Sequence, residues 1–270
     1  MADELIRKLL LSISLKAGGD YNRIMQMIIN RDFPPDEVIE KADQCIKSGY
    51  ITYVDKEYPA ELKRIYRPPI VLYYYGDLSL LYKEKKALAV VGSRECTEVG
   101  KKVTNQFVRD LALDYRIVSG LARGIDAVAH ESALEVGGDT IAVLGSGIDY
   151  CYPPENYDLY RILKNRGLVI SEYPNFTAPT PISFPMRNRI IAGLSKGVLI
   201  TEAKKRSGTL ITVNWAQDFS KEIMCVPYRV EDSSGCNQLI KEGAFMVEDS
   251  DDVRLVLDGT KNLKKTLMWP

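Results

Sequence analysis

The sequence predicts an α/β fold in which a small N-terminal helical domain precedes a doubly wound, mostly parallel sheet. From residue 87 onward, short and almost wholly apolar runs alternate with segments long enough to form crossover helices. Runs this apolar are typical of strands buried on both faces of a parallel sheet. The first 50 residues differ, because their apolar residues recur at helical spacing. Together these observations indicate a Rossmann-like domain, whose ligands bind at the carboxyl ends of the strands.

Residues 1–50 are predicted to form a small helical (SAM-like) domain of three short helices. The first carries apolar residues at helical spacing until Gly18-Gly19 breaks the pattern: Leu5, Ile6, Leu9, Leu10 and Ile13. The second ends at Pro34-Pro35. The third covers residues 36–48 and ends at Gly49.

Residues 51–85 are interpreted as a connector that leads into the core. The run from Ile70 to Tyr75 predicts a strand before the turn at Gly76-Asp77. The main domain covers residues 86–256, with strands predicted at 87–91, 116–119, 140–144, 168–171, 198–201 and 223–226. Residues 257–270 are expected to form a C-terminal tail.

The overall charge argues against a protein that coats nucleic acid by electrostatic attraction alone. Lysine and arginine number 36, aspartate and glutamate number 36, and the formal net charge is zero. Proteins of that kind are basic over the whole domain. Any nucleic-acid site must therefore be a local patch of basic residues.

The cysteines and the N-terminus indicate a cytoplasmic protein. The five cysteines are odd in number and contain no CxxC pair, so neither a disulfide framework nor a structural zinc site is expected. The charged N-terminus does not resemble a signal peptide. No stretch approaches the roughly 18 apolar residues that a membrane span needs.

Glycine, serine and arginine residues follow several of the predicted strands. Glycine lets the backbone approach an anion closely, arginine can bind a phosphate with two donors, and the following helix offers free N–H groups. Because the carboxyl ends of parallel strands share one edge of a sheet, these loops predict one phosphate-binding rim. Its candidate residues are Gly92, Ser93, Arg94, Ser119, Gly120, Arg123, Gly145, Gly147, Ser207, Gly208 and Thr209.

The segment from Phe184 to Ser195 is the most specific feature of the sequence. It places two arginines, an asparagine and an aromatic ring at the start of an apolar helix: Phe184, Arg187, Asn188 and Arg189. Lys196, Lys204, Lys205 and Arg206 follow, opposed only by Glu202. Basic residues beside an aromatic side chain that can stack a base are typical of single-strand nucleic-acid binding. The alternative is structural: Arg187 and Arg189 pair with acids such as Glu172 and Glu202, and Phe184 is core.

Motifs for cofactors and catalysis are absent or incomplete. The dinucleotide fingerprint and the Walker A lysine pattern are both missing, so no NAD, FAD or other cofactor is expected. His130 is the only histidine and is predicted inside a helix, where a structural role is expected, while Asp126 is expected at a helix start. Glu172 and Glu202 remain a candidate carboxylate pair. No catalytic or metal site is predicted.

These segments together resemble the DprA/Smf family (DNA-processing A). The resemblance runs from about Tyr58 to Val247. It includes VVGSRECTEVG, IVSGLARGIDAVAH, IAVLGSGIDYCYPPEN, ISEYP, FPMRNRIIAGLS, TEAKKRSGTLIT and GCNQLIKEGA.

The resemblance implies a protein that binds single-stranded DNA, forms a homodimer, and loads the RecA recombinase onto that DNA in natural transformation and recombination. It implies that Arg94 contacts phosphate and that residues 184–189 line the DNA pocket. The dimer surface is expected around residues 215–244. Many members also end in a winged-helix domain, which is not expected here because only 23 residues follow Val247.

Two other functions remain open. A phosphoribohydrolase-like nucleotide hydrolase on a related fold would use a PGGxGTxxE motif. Here the counterpart is Ser207-Gly208-Thr209-Leu210-Ile211-Thr212, without the leading proline and the trailing glutamate. The other alternative is an interaction scaffold whose loops bind nothing. Reversing the charge of Arg94 and Arg187 would separate a DNA-binding protein from a scaffold.

Overall fold

The computed structural model describes residues 2–205, 207–232 and 235–259. Its strands are β1 (Gly49–Thr52), β2 (Val71–Gly76), β3 (Ala87–Val91), β4 (Arg116–Ser119), β5 (Thr140–Val143), β6 (Leu168–Ser171), β7 (Gly197–Ile200), β8 (Glu222–Cys225) and β9 (Phe245–Met246). They form one sheet in the order β1-β2-β6-β5-β4-β3-β7-β8-β9.

The sheet is parallel from β6 through β9 in that order, and only β1 and β2 run antiparallel to their neighbours. The chain begins the parallel part at β3, adds β4, β5 and β6 on one side, and then crosses back to add β7 and β8 on the other side. A crevice for ligands is therefore expected at the carboxyl end of β3, where the strand order reverses. This architecture confirms the predicted doubly wound α/β fold.

Helices cover both faces of the sheet. They are α1 (Ala2–Ala17), α2 (Tyr21–Asn30), α3 (Asp36–Glu40), α4 (Ala60–Lys63), α5 (Glu98–Leu111), α6 (Ile125–Glu135), α7 (Tyr157–Arg166), α8 (Ser183–Leu194), α9 (Thr209–Asp218), α10 (Gly235–Lys241) and α11 (Ser250–Asp258). On one face α4, α8, α9 and α10 pack on the sheet. On the other face α5, α6 and α11 pack on one half, and α1 and α7 pack on the other.

Every residue of the five central strands, β3 to β7, is buried. That burial explains why these strands read as unbroken apolar runs in the sequence. Each strand predicted in the main domain is present, with its ends shifted by at most one residue. The last two of these strands begin and end one residue earlier than the sequence predicts.

The N-terminal helices differ from their prediction. The second helix ends at Asn30 rather than at Pro34-Pro35, with Arg31 in the left-handed conformation as its cap. The helix predicted at residues 36–48 is only the short α3, followed by a 3₁₀ turn at Ala42–Cys45. Gly49 begins β1 instead of ending a helix, because it pairs with Tyr74 of β2 and the Tyr74 ring lies directly over it.

Residues 49–76 extend the sheet, and the N-terminal helices share its core. Leu11 of α1 belongs to the same buried cluster as Val71 and Tyr73 of β2. The Tyr73 hydroxyl also donates a hydrogen bond to Ser14 Oγ at 2.9 Å. No helix in the described part of the chain is long and apolar enough to cross a membrane.

Candidate functional site

The loops that follow β3, β4 and β7 surround a hollow of about 290 Å³ at the carboxyl ends of the strands. We call it the carboxyl-edge hollow. Segments far apart in the sequence contribute to its wall, as expected for a crevice at the point where strand order reverses. The residues that line it include Gly92, Ser93, Arg94, Glu95, Asp126, Arg187, Asn188, Lys204, Ser207, Gly208, Thr209 and Thr212.

The loop after β3 is fixed by bonds to two neighbouring segments. Ser93 N–H donates to the Glu202 carbonyl at 2.8 Å, and Ile125 N–H donates to the Ser93 carbonyl at 3.1 Å. Gly124 has a φ of +73° and lies against that same carbonyl, so a side chain at this position would be excluded. The backbone that presents Arg94 is therefore held in place.

Arg94 itself is exposed at the mouth of the hollow. Its guanidinium lies over the Phe184 ring, with the central carbon 5.5 Å from the ring centroid. Among the described residues it forms no ion pair. Its charge is therefore available to an anionic ligand.

Arg187 lies deeper, with 4% of its surface exposed. Its guanidinium donates to the carbonyls of Gly120 and Val143 at the ends of β4 and β5, and to Asn188 Oδ1 at 3.1 Å. A side chain on Gly120 would collide with the guanidinium, which explains the glycine at that position. Arg187 is thus held by neutral groups and keeps its positive charge beside the hollow.

Asp126 is the acid whose charge acts on Arg187. Its carboxylate accepts from the N–H groups of Gly120 at 3.1 Å and Ala122 at 3.4 Å. Burial lowers the pKa of Arg187 to about 10, and the negative charge of Asp126 opposes that shift. Burial also raises the pKa of Asp126, opposed by Arg187 and the two backbone N–H groups. Asp126 lies in the first turn of α6, as the sequence predicts.

A smaller cavity of about 50 Å³ adjoins the hollow and shares Arg94 and Arg187 with it. We call it the aromatic slot. The rings of Phe184 and Tyr152 lie 5.4 Å apart at its wall. The absent side chain of Gly145 makes room for the slot, since a Cβ there would approach Phe184 to 2.7 Å. Sequence reasoning missed Tyr152, although it follows the Gly145 loop directly.

Two other cations on this edge are engaged by acids. Arg123 forms an ion pair with Glu155, and Lys204 pairs with Glu95 at 2.6 Å. The pairing raises the pKa of Lys204 and lowers the pKa of Glu95. All four side chains are exposed, so water screens these pairs and a phosphate can compete for either cation. Arg206 lies outside the described residues.

Four residues that the sequence predicts to contact DNA do not line the hollow or the slot. Ser119 is buried and donates to the Val90 carbonyl at 2.6 Å, which ties β4 to β3. Gly147 is buried against residues 174–177, and its N–H donates to the Thr177 carbonyl at 2.7 Å. These two residues shape the loops without reaching a ligand.

Arg189 and Lys196 are the other two. Arg189 is fully buried and pairs with Glu172 at 2.6 Å, as the structural alternative predicts for this residue. Lys196 precedes β7, and its N–H donates to the Ala87 carbonyl at the start of β3. It therefore lies at the amino ends of the strands, on the opposite edge of the sheet.

The candidate catalytic groups are bound to separate structural partners. Glu202 accepts from both the N–H and the Oγ1 of Thr97, and Glu172 accepts from Arg189. His130 is fully buried within α6, with Nδ1 bonded to Thr140 Oγ1 at 2.7 Å. Within the described ranges, no cluster of three or more histidine, cysteine, aspartate or glutamate residues is arranged to hold a metal ion.

The comparisons with known proteins agree on one family. The family model described as DNA recombination-mediator protein A matches residues 49–258. The DNA processing protein DprA of Streptococcus pneumoniae is 46% identical over 202 residues, which cover 74% of this chain and 71% of that protein.

Two solved structures are similar over most of their length. The X-ray structure of DNA processing protein A from Streptococcus pneumoniae matches with a TM-score of 0.78 and 35% identity, and the match covers 95% of this chain and 97% of that chain. DNA processing protein A from Helicobacter pylori matches with a TM-score of 0.72 and 31% identity, covering 80% of this chain and 99% of that chain. The Helicobacter structure was described for its single-stranded DNA binding mode. From these matches and the shared fold, the chain belongs to the DNA recombination-mediator protein A family.

Proposed function

We propose that this chain binds single-stranded DNA at the carboxyl-edge hollow and the aromatic slot. The observation that carries the proposal is the pair of arginines shared by the two cavities. Exposed Arg94 lies at the mouth and buried Arg187 lies at the base. The similarity to the Helicobacter protein, which binds single-stranded DNA, supports the same ligand here.

The two cavities suit the two parts of a nucleotide. Phosphates bind in the hollow, where Arg94 and Arg187 supply charge and the start of α9 supplies N–H groups beside Gly208. Ser207 lines the hollow, and its buried Oγ has no hydrogen-bond partner among the described residues. A base stacks against Phe184 or Tyr152 in the slot, a contact of about 1–3 kcal/mol.

The chain acts on DNA by binding, without catalysis. Asp126, Glu172 and Glu202 each accept hydrogen bonds that hold the fold, and His130 is enclosed in the core. A nucleotide hydrolase would need one of these groups as a free general base within reach of the phosphate.

The test is fluorescence anisotropy with a labelled oligothymidine of about six nucleotides and a matched duplex. We expect the single strand to bind and the duplex to bind weakly, because the slot admits an unstacked base. Charge reversal in Arg94→Glu is expected to weaken binding by about a hundredfold. Affinity is expected to fall with salt by about 0.7 log units per log unit of salt for each neutralised phosphate.

Lys102→Glu is the matched control, since Lys102 is exposed on α5 and lies outside both cavities. It carries the same charge change as the Arg94 variant and is expected to bind like wild type. Equal affinity of both variants, or an affinity that does not change with salt, contradicts the proposed site. Hydrolysis of thymidine monophosphate by wild type would favour the nucleotide-hydrolase alternative.

The strand bound here is proposed to be passed to the RecA recombinase, and the chain is proposed to act as a homodimer. The family description as a recombination mediator supports the first statement. The second is supported by exposed apolar residues at the β9 edge, where Phe245 and Met246 are 48% and 54% exposed. RecA filament assembly on DNA covered with single-strand-binding protein tests the transfer. We expect faster assembly with wild type than with Arg94→Glu.

A further inference from the structure

A second cavity lies at the opposite edge of the sheet, at the amino ends of the strands. It has a volume of about 470 Å³, and we call it the amino-edge cavity. A five-residue strand at about 3.3 Å per residue separates the two edges by about 16 Å. None of the residues that line it lines the carboxyl-edge hollow: Lys56, Tyr58, Pro59, Ala60, Glu61, Leu81, Tyr82, Lys83, Glu84, Lys85, Lys86, Ala87, Arg116, Ile141, Leu194 and Lys196.

Arg116, the first residue of β4, is the buried cation of this cavity. It is 4% exposed, and its Nη2 donates to the Lys83 carbonyl at 3.1 Å. Its Nε has no hydrogen-bond partner among the described residues, and no described carboxylate lies within ion-pair distance. Burial lowers its pKa, while the more distant acids Asp139, Glu61 and Asp77 oppose the shift.

An unpaired buried cation is costly unless a partner of opposite charge satisfies it. Arg189 forms an ion pair with Glu172, and Arg187 donates hydrogen bonds to carbonyls at the strand ends. Arg116 has one carbonyl and an open cavity beside it. Its setting therefore resembles that of Arg187 at the other edge more than that of Arg189.

The charges around Arg116 favour an anion. Three lysines at the rim are paired with acids, as Lys83–Asp77, Lys85–Asp139 and Lys86–Asp258. Lys56 and Lys196 line the cavity and form no ion pair with the described residues. Burial lowers the pKa of nearby Lys221, and the charges of Lys196 and Arg64 lower it further. Glu61 and Glu84 also face the cavity. The positive groups still outnumber the carboxylates.

The rest of the wall is apolar. Leu81, Ile141 and Leu194 line the cavity, and Tyr82 presents a side chain that is 54% exposed. An apolar wall beside a group of cations suits a ligand that combines a flat ring with phosphate.

We propose that the amino-edge cavity binds a nucleoside phosphate, with Arg116 and Lys196 on the phosphate and Tyr82 beside the base. The nucleotide is either free or part of a long DNA strand whose other nucleotides occupy the carboxyl edge. The assignment gives Lys196 an anion-binding role at an edge that the strand-end loops do not reach.

Isothermal titration calorimetry with ADP and with pyrophosphate tests the site. Lys196→Glu, an exposed substitution, is expected to weaken binding about tenfold. Arg116→Met keeps the length of the side chain and removes its charge, and is expected to weaken binding at least as much; thermal melting checks that it folds. Lys102→Glu, which lies outside the cavity, is expected to bind like wild type.

A second arm identifies the source of the nucleotide. Anisotropy compares oligothymidines of about six and about 60 nucleotides. If Lys196→Glu weakens only the long strand, the cavity holds part of a DNA strand. If it weakens ADP binding, the cavity holds a free nucleotide.

The proposal is overturned if folded wild type binds neither ADP nor pyrophosphate and Lys196→Glu binds the long strand normally. It is also overturned if ADP binding is lost in Arg94→Glu and retained in Lys196→Glu, because ADP then occupies the carboxyl edge. Failure of the DNA site is seen separately, in the response of the short oligothymidine to Arg94→Glu.

Discussion

Three arginines of the described chain are buried, and each has a different kind of partner. Arg189 faces Glu172, Arg187 faces backbone carbonyls, and Arg116 faces a cavity. The sequence identifies two of them as a pair of equivalent phosphate contacts in one motif. Two positions along an α-helix differ by about 200° in direction, so Arg187 and Arg189 face different surroundings. Their residue types were predictable, whereas their partners depend on packing between distant segments.

His130 is predicted to make the protein less stable in mild acid. Its ring is buried and its Nε2 has no described partner, and burial lowers its pKa to about 3. The unfolded chain takes up a proton near pH 6.5, while the folded chain stays neutral, so acid favours unfolding. Between pH 7 and pH 5 this group is expected to remove about 2 kcal/mol from the free energy of unfolding.

Urea unfolding at both pH values measures that loss. His130→Asn serves as the control, because it keeps a polar group near Thr140 and removes the titration. Asp126 and Glu172 also titrate, but they are present in both proteins, so the difference between them isolates His130. Identical pH dependence of the two proteins contradicts the prediction. No other histidine contributes to the pH dependence, because the sequence contains a single histidine.

The start of α5 connects the carboxyl-edge hollow to the end of β7. Thr97 caps this helix, with its Oγ1 accepting from Gly100 N–H at 3.0 Å. The same hydroxyl donates to Glu202 at 2.8 Å, and Glu202 follows β7. One side chain therefore joins the loop that carries Arg94 to the loop that leads to Ser207.

Thr97→Ala is expected to lower the free energy of unfolding by about 1–2 kcal/mol, because both the cap and the bond to Glu202 are lost. Thr97→Ser keeps the hydroxyl and is expected to lose much less. Urea unfolding of the two variants at neutral pH makes the comparison. Equal stability of the alanine and serine variants would mean that the hydroxyl contributes little.

Crossover geometry explains why Lys196 is far from the hollow. The helix α8 has 12 residues, which at about 1.5 Å per residue is about 18 Å. It starts at the carboxyl edge with Phe184 and returns the chain to the amino edge before β7 begins. The described part of the basic patch that the sequence suggests between residues 184 and 206 is therefore divided between the two edges of the sheet.

For the whole molecule, the apolar runs were sufficient to predict the sheet and the edge that carries the hollow. They were not sufficient for β1, because residues 49–52 pair with β2 through contacts that no local pattern encodes. Tyr152 was missed for the same reason, since only the fold brings its ring to Phe184. Periodicity predicts elements, whereas contacts between distant segments complete the site.

We predict that the proposed homodimer forms through the β9 edge of the sheet. Exposed strand edges with apolar side chains tend to pair with another chain, and Val230 nearby is 92% exposed. Phe245→Glu is expected to shift the protein from dimer to monomer in analytical ultracentrifugation. Its affinity for long oligonucleotides is expected to fall about a hundredfold through lost avidity, with short ones unaffected.

Phe176→Glu is the matched control, because Phe176 is 68% exposed and lies in the loop after β6, remote from β9 in the strand order. A monomer in both variants, or a dimer in both, would place the interface elsewhere. The sequence resemblance suggests residues 215–244, which end directly before β9.

The contact between α1 and β2 gives the chain two different boundaries. The match to the family model begins at residue 49, but Leu11 and Ser14 lie before it and pack on Val71 and Tyr73. A chain cut at residue 49 would leave an apolar surface of β2 in water. The smallest unit expected to fold on its own therefore begins before that residue and includes α1.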